Sequence, residues 1–221
     1  MSVSLKKTLA QRYLQFWLFK PIVQTHGTAA PIRLSTLILQ KCIGFNRSAY
    51  WPMHHSSTIS GARSIEIGVG CAPGLSSGCY LNGSQGIKIG DYTLVAPNVG
   101  IITTNHDILN LKKNVPSNGV VIGRFCWIGM NVVILPNVRL GDHTIVAAGS
   151  VVTKPFPNGY CVLAGIPAKV VKILDSHDCK SDGNEHQYVG YYKKDYFLRN
   201  MRHILDRIYD PISDSFITTN C

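Results

Sequence analysis

The chain has 221 residues, carries 22 Lys and Arg against 12 Asp and Glu, and is 45% hydrophobic. That length is enough for one real core, and the formal charge of +10 favours anionic partners in general, whether phosphorylated small molecules, lipid headgroups or nucleic acid. No stretch approaches the length of continuous apolar sequence that a membrane span needs, and the basic residues are scattered instead of clustered with aromatics, which argues against nucleic-acid binding.

Residues 1–58 hold seven Lys and Arg and no acid. Within them Leu5, Leu9, Tyr13 and Phe16 recur at helical spacing, with Lys6, Lys7, Gln11, Arg12 and Gln15 largely elsewhere on the wheel. The helix expected over 5–19 has two readings. One is a cap on the first repeat or a contact with another subunit, since stacked repeats require terminal caps. The other is an interfacial helix giving peripheral contact with an anionic inner membrane, which the basic face and Trp17 suit. Gln11, Arg12, Gln15 and Lys20 interrupt the apolar run, so a cleaved signal peptide is not expected. A second apolar stretch, Ile32 to Ile43, predicts a short packed helix.

From Ile122 onward the chain repeats every six residues: Ile122, Ile128, Ile134, Leu140, Val146 and Val152 share one position. Two places earlier stand Val120, Cys126, Val132, Val138, Thr144 and Ser150, and one place later come Gly123, Gly129 and Gly141. Six is a multiple of two, so each hexad can be a short strand with a corner, its aliphatic residue always facing the same way. Glycine or a small residue is expected where the chain bends. Three such strands close a triangular turn of about eighteen residues, and stacked turns share one narrow core, a parallel β-helix.

The frame extends upstream through Ile89, Val95 and Ile101. The step from Ile101 to Ile122 is not a multiple of six, so the polar stretch 105–119 must loop out of the coil. The expected organisation is a basic helical region at 1–58, the β-helix at 59–171 and a C-terminal helical extension at 172–221. In that extension Leu198, Met201, Leu205 and Ile208 form a helical stripe, and the polar segment 176–187 reads as a mobile link. Seven cysteines without CxxC spacing fit a reduced cytoplasmic setting, with Cys126 an inward-facing filler.

The loop-out begins at Asn105-His106-Asp107. A histidine where the regular wall opens is poised at a groove, and a neutral imidazole is a usable base at cytosolic pH. Asp107 either orients His106 or only begins the loop. Tyr80, Asn82 and Asn98 lie on neighbouring irregular coils and suit sugar hydroxyls.

Six fragments, in order and in frame with the repeat, carry a resemblance over residues 66–172. They are Pro73-Gly74-Leu75-Ser76-Ser77-Gly78-Cys79-Tyr80, Gly86-Ile87-Lys88-Ile89-Gly90-Asp91, Ala96-Pro97-Asn98-Val99 leading to Asn105-His106-Asp107, Cys126-Trp127-Ile128-Gly129, Ala147-Ala148-Gly149-Ser150-Val151-Val152-Thr153-Lys154, and Ala164-Gly165-Ile166-Pro167-Ala168-Lys169. The chain resembles the hexapeptide-repeat acyltransferases, which include galactoside, maltose, serine and streptogramin acetyltransferases, and most of all the O-acetyltransferases of bacterial surface sugars. The resemblance implies an all-β solenoid, a left-handed parallel β-helix of hexapeptide repeats with flanking N- and C-terminal α-helices. It implies acetyl-CoA as co-substrate, no metal, a small-molecule or glycan acceptor, and a homotrimer with the active site across the interface. His106 matches the catalytic base and Trp127 the tryptophan beside the thioester. Ala148, Thr153 and Lys154 match the coenzyme A groove, and Lys169 falls near the adenosine phosphates. Met130 departs from the family, which has a small residue there.

Acyl transfer from a thioester to a hydroxyl needs a base, donors for the tetrahedral oxyanion and a groove that aligns both substrates. Direct attack in a ternary complex is expected, because no cysteine or serine is evidently placed as a nucleophile beside His106. Three alternatives stand beside it. An N-acetyltransferase would use the same base on an amino sugar or drug. A zinc enzyme like the γ-class carbonic anhydrases would need a third histidine besides His106 and His143. A non-catalytic solenoid scaffold would need no base at all.

Overall fold

The computed structural model describes residues 19–219, so the helix expected over 5–19 lies outside the described residues apart from its last position. Short strands are visited in rotation by three parallel sheets. The first sheet holds Thr58–Ser60, Tyr80–Asn82, Gly100–Ile102, Val133–Ile134 and Val151–Val152. The second holds Ile65–Ile67, Ile87–Ile89, Val120–Ile122 and Arg139–Leu140, and the third Leu94–Val95, Trp127–Ile128, Thr144–Val146 and Cys161–Gly165. Ala168–Ile173 turns back antiparallel on the last of these.

Register gives the period of the coil directly. Trp127 lies opposite Ile145, Val133 opposite Val151 and Val121 opposite Arg139, eighteen residues apart each time. Across the rupture Leu94 pairs with Trp127, Gly100 with Val133 and Ile87 with Val120. Those steps are thirty-three residues, one turn plus fifteen, and the extra residues leave the wall after Ile102.

Both inward positions of each hexad are buried, the aliphatic series Ile122 to Val152 as well as Val120, Cys126, Val132 and Val138. Burial of each such side chain stabilises the coil by about 1.5–3 kcal/mol. Threonine substitutes for valine on this face only because a neighbouring carbonyl takes its proton: Thr93 Oγ1 donates to Gly123 O at 2.7 Å and Thr144 Oγ1 to Gly141 O at 2.7 Å.

The bend is not made where the glycines were expected to make it. Positive φ falls three places after the aliphatic residue, at Phe125 (54°), Asn131 (59°), Asn137 (67°), His143 (53°) and Gly149 (70°), six residues apart. Gly129, one place after Ile128, serves close approach instead: a Cβ there would meet Val146 O at 2.7 Å on the next turn. One such corner builds a ladder of rings. Tyr92, Phe125, His143 and Tyr160 stack at centroid distances of 5.3, 5.1 and 4.9 Å.

The flanks differ from expectation in three respects. Helix Leu34–Leu37 continues as a wider turn over Ile38–Ile43, but its buried residue is Gln40, while Leu34, Ile38 and Ile43 are exposed. Gln40 holds the capping segment by donating to Ala49 O and Trp51 O and accepting from Met53 N. The polar segment 176–187 is no free link, because Ser181 Oγ reaches His143 Nε2 at 3.1 Å and Asn184 N donates to Tyr92 OH at 3.3 Å, against the ring ladder. The C-terminal helix ends at Asn200, and Ile208 lies in a hairpin of Arg207–Asp210 with Ser215–Thr218. Pro211 and the β-branched Ile217 and Thr218 favour that hairpin over a continued helix.

The C-terminal extension lies over the second sheet. Tyr209 N donates to Glu66 Oε2 at 3.4 Å, and Arg139 Nε pairs with Asp214 Oδ1 at 3.0 Å. Outward residues of the other two sheets stay open, Tyr80 on the first and Leu94 and Trp127 on the third. Among the described residues no helix is long and apolar enough to cross a membrane.

Candidate active site

The rupture is a small antiparallel hairpin. Asn105 pairs with Val115 and His106 with Asn114, so His106 leaves the wall on an ordered strand just past the first sheet, with its side chain exposed. Asp107 begins the loop and does not orient the imidazole: its Oδ1 accepts from Leu109 N at 2.7 Å and Asn110 N at 3.2 Å. At the tip, Ile108, Leu109 and Leu111 are exposed, so a stretch expected to be polar presents aliphatic side chains. Two residues before His106, the Thr104 hydroxyl is buried without a hydrogen-bond partner.

Trp127 stands on the outer face of the third sheet, 53% exposed, with Leu94 on one side and Ile145 on the other. It lines a cleft of about 400 Å³ together with Thr28, Pro31, Arg33, Ser76 and Leu94. Buried Ile32, whose N–H donates to Thr25 Oγ1 at 2.9 Å, anchors that N-terminal strap.

Ala148, just past the third-sheet strand Thr144–Val146, Thr153 and Lys154, just past the first-sheet strand Val151–Val152, and Lys169 on the final strand of the third sheet are all exposed. Lys169 pairs across the final hairpin with Ala164. Lys154 Nζ sits 5.7 Å from the Phe156 ring centroid and lines a second cleft with Val170 and Ile173. From the Trp127 strand to that of Lys169 is three ladder steps, through Thr144–Val146 and Cys161–Gly165, or roughly 14 Å at ordinary strand spacing. Met130 is exposed, and its carbonyl accepts from Gly149 N at 2.9 Å, so the backbone contact of that position is used within the coil.

Tyr80 and Asn82 lie on the first sheet opposite Gly100 and Ile102, the strand that leads to His106. The Asn82 amide oxygen is engaged locally, Oδ1 accepting from Ser84 N at 3.1 Å and Ser84 Oγ at 2.8 Å. Asn98 is a corner residue with φ 57°, its N–H donating to Ser77 O at 2.9 Å. One chain therefore gathers Tyr80, Asn82 and His106 about the first sheet and Trp127, Ala148 and Lys169 about the third, with Thr153 and Lys154 just past the last strand of the first. It does not bring the two groups into one cleft. Arg33 and the strap of residues 28–33 were not anticipated, since nothing local in the sequence marks residues that share a cleft with Trp127 only through the fold.

The buried thiols suit filler roles. Desolvation pushes Cys126 up to about 11 and Cys71 up to about 12. Among the described residues no group of three or more His, Cys, Asp or Glu is placed to hold a metal ion.

The chain is thus a coil of six-residue strands broken once to present a histidine, with a tryptophan on the open face of its third sheet. Residues 119–154 match the family model "Bacterial transferase hexapeptide (six repeats)", which falls on the regular hexads from Val120 to Val152. It is 40% identical over 113 residues to the galactoside O-acetyltransferase of Escherichia coli strain K12, covering 50% of each chain. It is 31% identical to a galactoside acetyltransferase whose structure was solved in complex with coenzyme A, covering 66% of this chain and 69% of that one at a TM-score of 0.49. A maltose O-acetyltransferase from Clostridium difficile 630 is 24% identical, covers 74% of this chain and 92% of its own, and superposes with a TM-score of 0.50. The chain spans about half the length of the curated relatives it matches.

Proposed function

We propose that the protein is an acetyl-CoA-dependent O-acetyltransferase that acetylates a hydroxyl of a sugar or polysaccharide precursor. The observation that carries this reading is His106, exposed on the hairpin that interrupts an otherwise regular coil. The acceptor hydroxyl attacks the thioester carbonyl while His106 takes its proton. The tetrahedral oxyanion is held by backbone N–H groups at the coil edge, and collapse breaks the C–S bond as His106 returns the proton to the leaving thiolate. Trp127 flanks the thioester, Ala148 and Thr153 border the pantetheine arm, and Lys154 and Lys169 meet the phosphates as point charges. The three ladder steps between Trp127 and Lys169 suit a donor laid along the sheet. Acetyl transfer to a sugar is supported by the identity shared with the galactoside O-acetyltransferase.

The coil is left-handed in this reading and the working unit is a cytoplasmic homotrimer, in which the third sheet of one copy faces the first sheet of the next. That arrangement would unite the two groups of residues that one chain keeps apart, with Tyr80, Asn82 and Asn98 on the acceptor side. The N-terminal residues would cap the stack or touch the inner membrane. Release of free thiol from acetyl-CoA, followed across a panel of sugars, tests the reading. Acceptor-dependent release supports it, and its absence with every sugar removes it.

A further inference from the structure

The Trp127 cleft has very few hydrogen-bond donors left to offer. Thr28 Oγ1 already donates to Thr25 O at 2.8 Å, Ser76 Oγ to Val95 O at 2.9 Å and Thr93 Oγ1 to Gly123 O at 2.7 Å. Those hydroxyls retain lone pairs but have no proton to give. Arg33 is the one charged residue lining the cleft, and among the described residues its guanidinium makes no hydrogen bond or ion pair. Its backbone is fixed on both sides, by buried Ile32 before it and by Leu37 N donating to Arg33 O at 3.0 Å after it. A guanidinium that pairs with no described residue, exposed in a cleft whose other side-chain donor is the Trp127 indole N–H, matches a planar or tetrahedral oxyanion, which it can grip through two parallel N–H bonds.

The donor's phosphates are not the natural owner of that contact. Lys169, at the opposite end of the sheet and roughly 14 Å from Trp127 by strand spacing, is expected to serve them together with Lys154, which lines the cleft with Val170 and Ile173. Arg33 stands instead at the tryptophan end, where acyl transfer would occur. We propose that Arg33 selects the acceptor, and that the acceptor class is an acidic sugar bearing a carboxylate or phosphate, with the sugar ring lying against Trp127. This rests on the acetyl-transfer reading above and narrows its substrate.

Matched acceptors test it: methyl β-glucuronide, glucose 6-phosphate and methyl β-glucoside, each assayed by thiol release with the full-length wild type, Arg33→Gln and Arg33→Lys. The wild type is expected to favour one acidic acceptor over the neutral glucoside by about tenfold or more in kcat/KM. Whichever acid leads tells carboxylate from phosphate. Arg33→Gln should erase most of that ratio, Arg33→Lys should keep part of it, and the KM for acetyl-CoA should move by less than about twofold. Equal use of acidic and neutral sugars by the wild type overturns the proposal. So does a raised KM for acetyl-CoA in Arg33→Gln with the acceptor ratio intact, which would give Arg33 to the donor. Should no sugar be acetylated, the acetyl-transfer reading fails by itself and direct binding decides this one. Quenching of tryptophan fluorescence by methyl β-glucuronide or glucose 6-phosphate, absent in Arg33→Gln and in Trp127→Phe, upholds it, and equal or absent quenching in wild type and Arg33→Gln overturns it.

Discussion

Gly129 passes so close beneath Ala148 that a Cβ at position 129 would lie 2.7 Å from the Ala148 backbone nitrogen. Adding a methyl group there must push apart two turns of the coil at the edge where the donor is proposed to lie. Gly129→Ala is expected to cost about 1–3 kcal/mol of unfolding free energy by overpacking. At Gly149 nothing lies within 4 Å of a built Cβ, but φ is +70°. Gly149→Ala should therefore cost about 1–2 kcal/mol through backbone strain alone. Urea unfolding of both variants checks this, and only Gly129→Ala should also raise the KM for acetyl-CoA.

Trp127 and Ile128 are consecutive residues with opposite fates, one 53% exposed and the other fully buried. Ile128→Ala should lose about 2–5 kcal/mol of stability, because the stacked core cannot collapse into the gap. Trp127→Ala should change stability by only about 0.5 kcal/mol while raising the KM for acetyl-CoA about tenfold or more. Thermal melts beside steady-state kinetics separate the two outcomes.

Cys126 links the core to pH. Desolvation raises its thiol from 9.0 to about 11 in the folded chain. The neutral thiol's contribution is complete below about pH 9 and fades as the pH climbs toward 11, where the unfolded chain binds fewer protons than the folded one. Cys126→Val, which places at this hexad position the residue found at 120, 132 and 138, should fall less steeply. By pH 11 the wild type should have lost on the order of 2 kcal/mol more stability than the variant. Urea midpoints measured from pH 8 to 11 for both proteins test it, and parallel curves would contradict it.

The repeat was legible in the sequence because Ile122, Ile128 and Ile134 obey a local period, and the same arithmetic located the rupture after Ile101. The corners were not, because Phe125, Asn131 and His143 share no composition. Only their backbone conformation unites them, and close coil stacking had already claimed the more conspicuous Gly123, Gly129 and Gly141. Ser181 bonds His143, and Arg33 shares a cleft with Trp127, across distant segments with no periodic signature. The stripe through Leu198, Met201 and Leu205 misled at Ile208, where Pro211 and the β-branched run after it turn the chain into a hairpin. Of the proposed site, His106 could be singled out because it stands where the repeat breaks, and Trp127 through the resemblance carried by Cys126-Trp127-Ile128-Gly129. Asp107 could not be resolved from sequence, since an aspartate that caps its own loop and one that orients a histidine look alike.

The central claim is that the imidazole at the rupture of the coil moves the proton during transfer. Single-turnover and steady-state kinetics of His106→Ala, with acetyl-CoA binding followed in parallel by calorimetry, address it most directly. A fall in kcat of about 10²–10⁴ with coenzyme affinity kept is the predicted result. Turnover within a few-fold of the wild type would contradict the account.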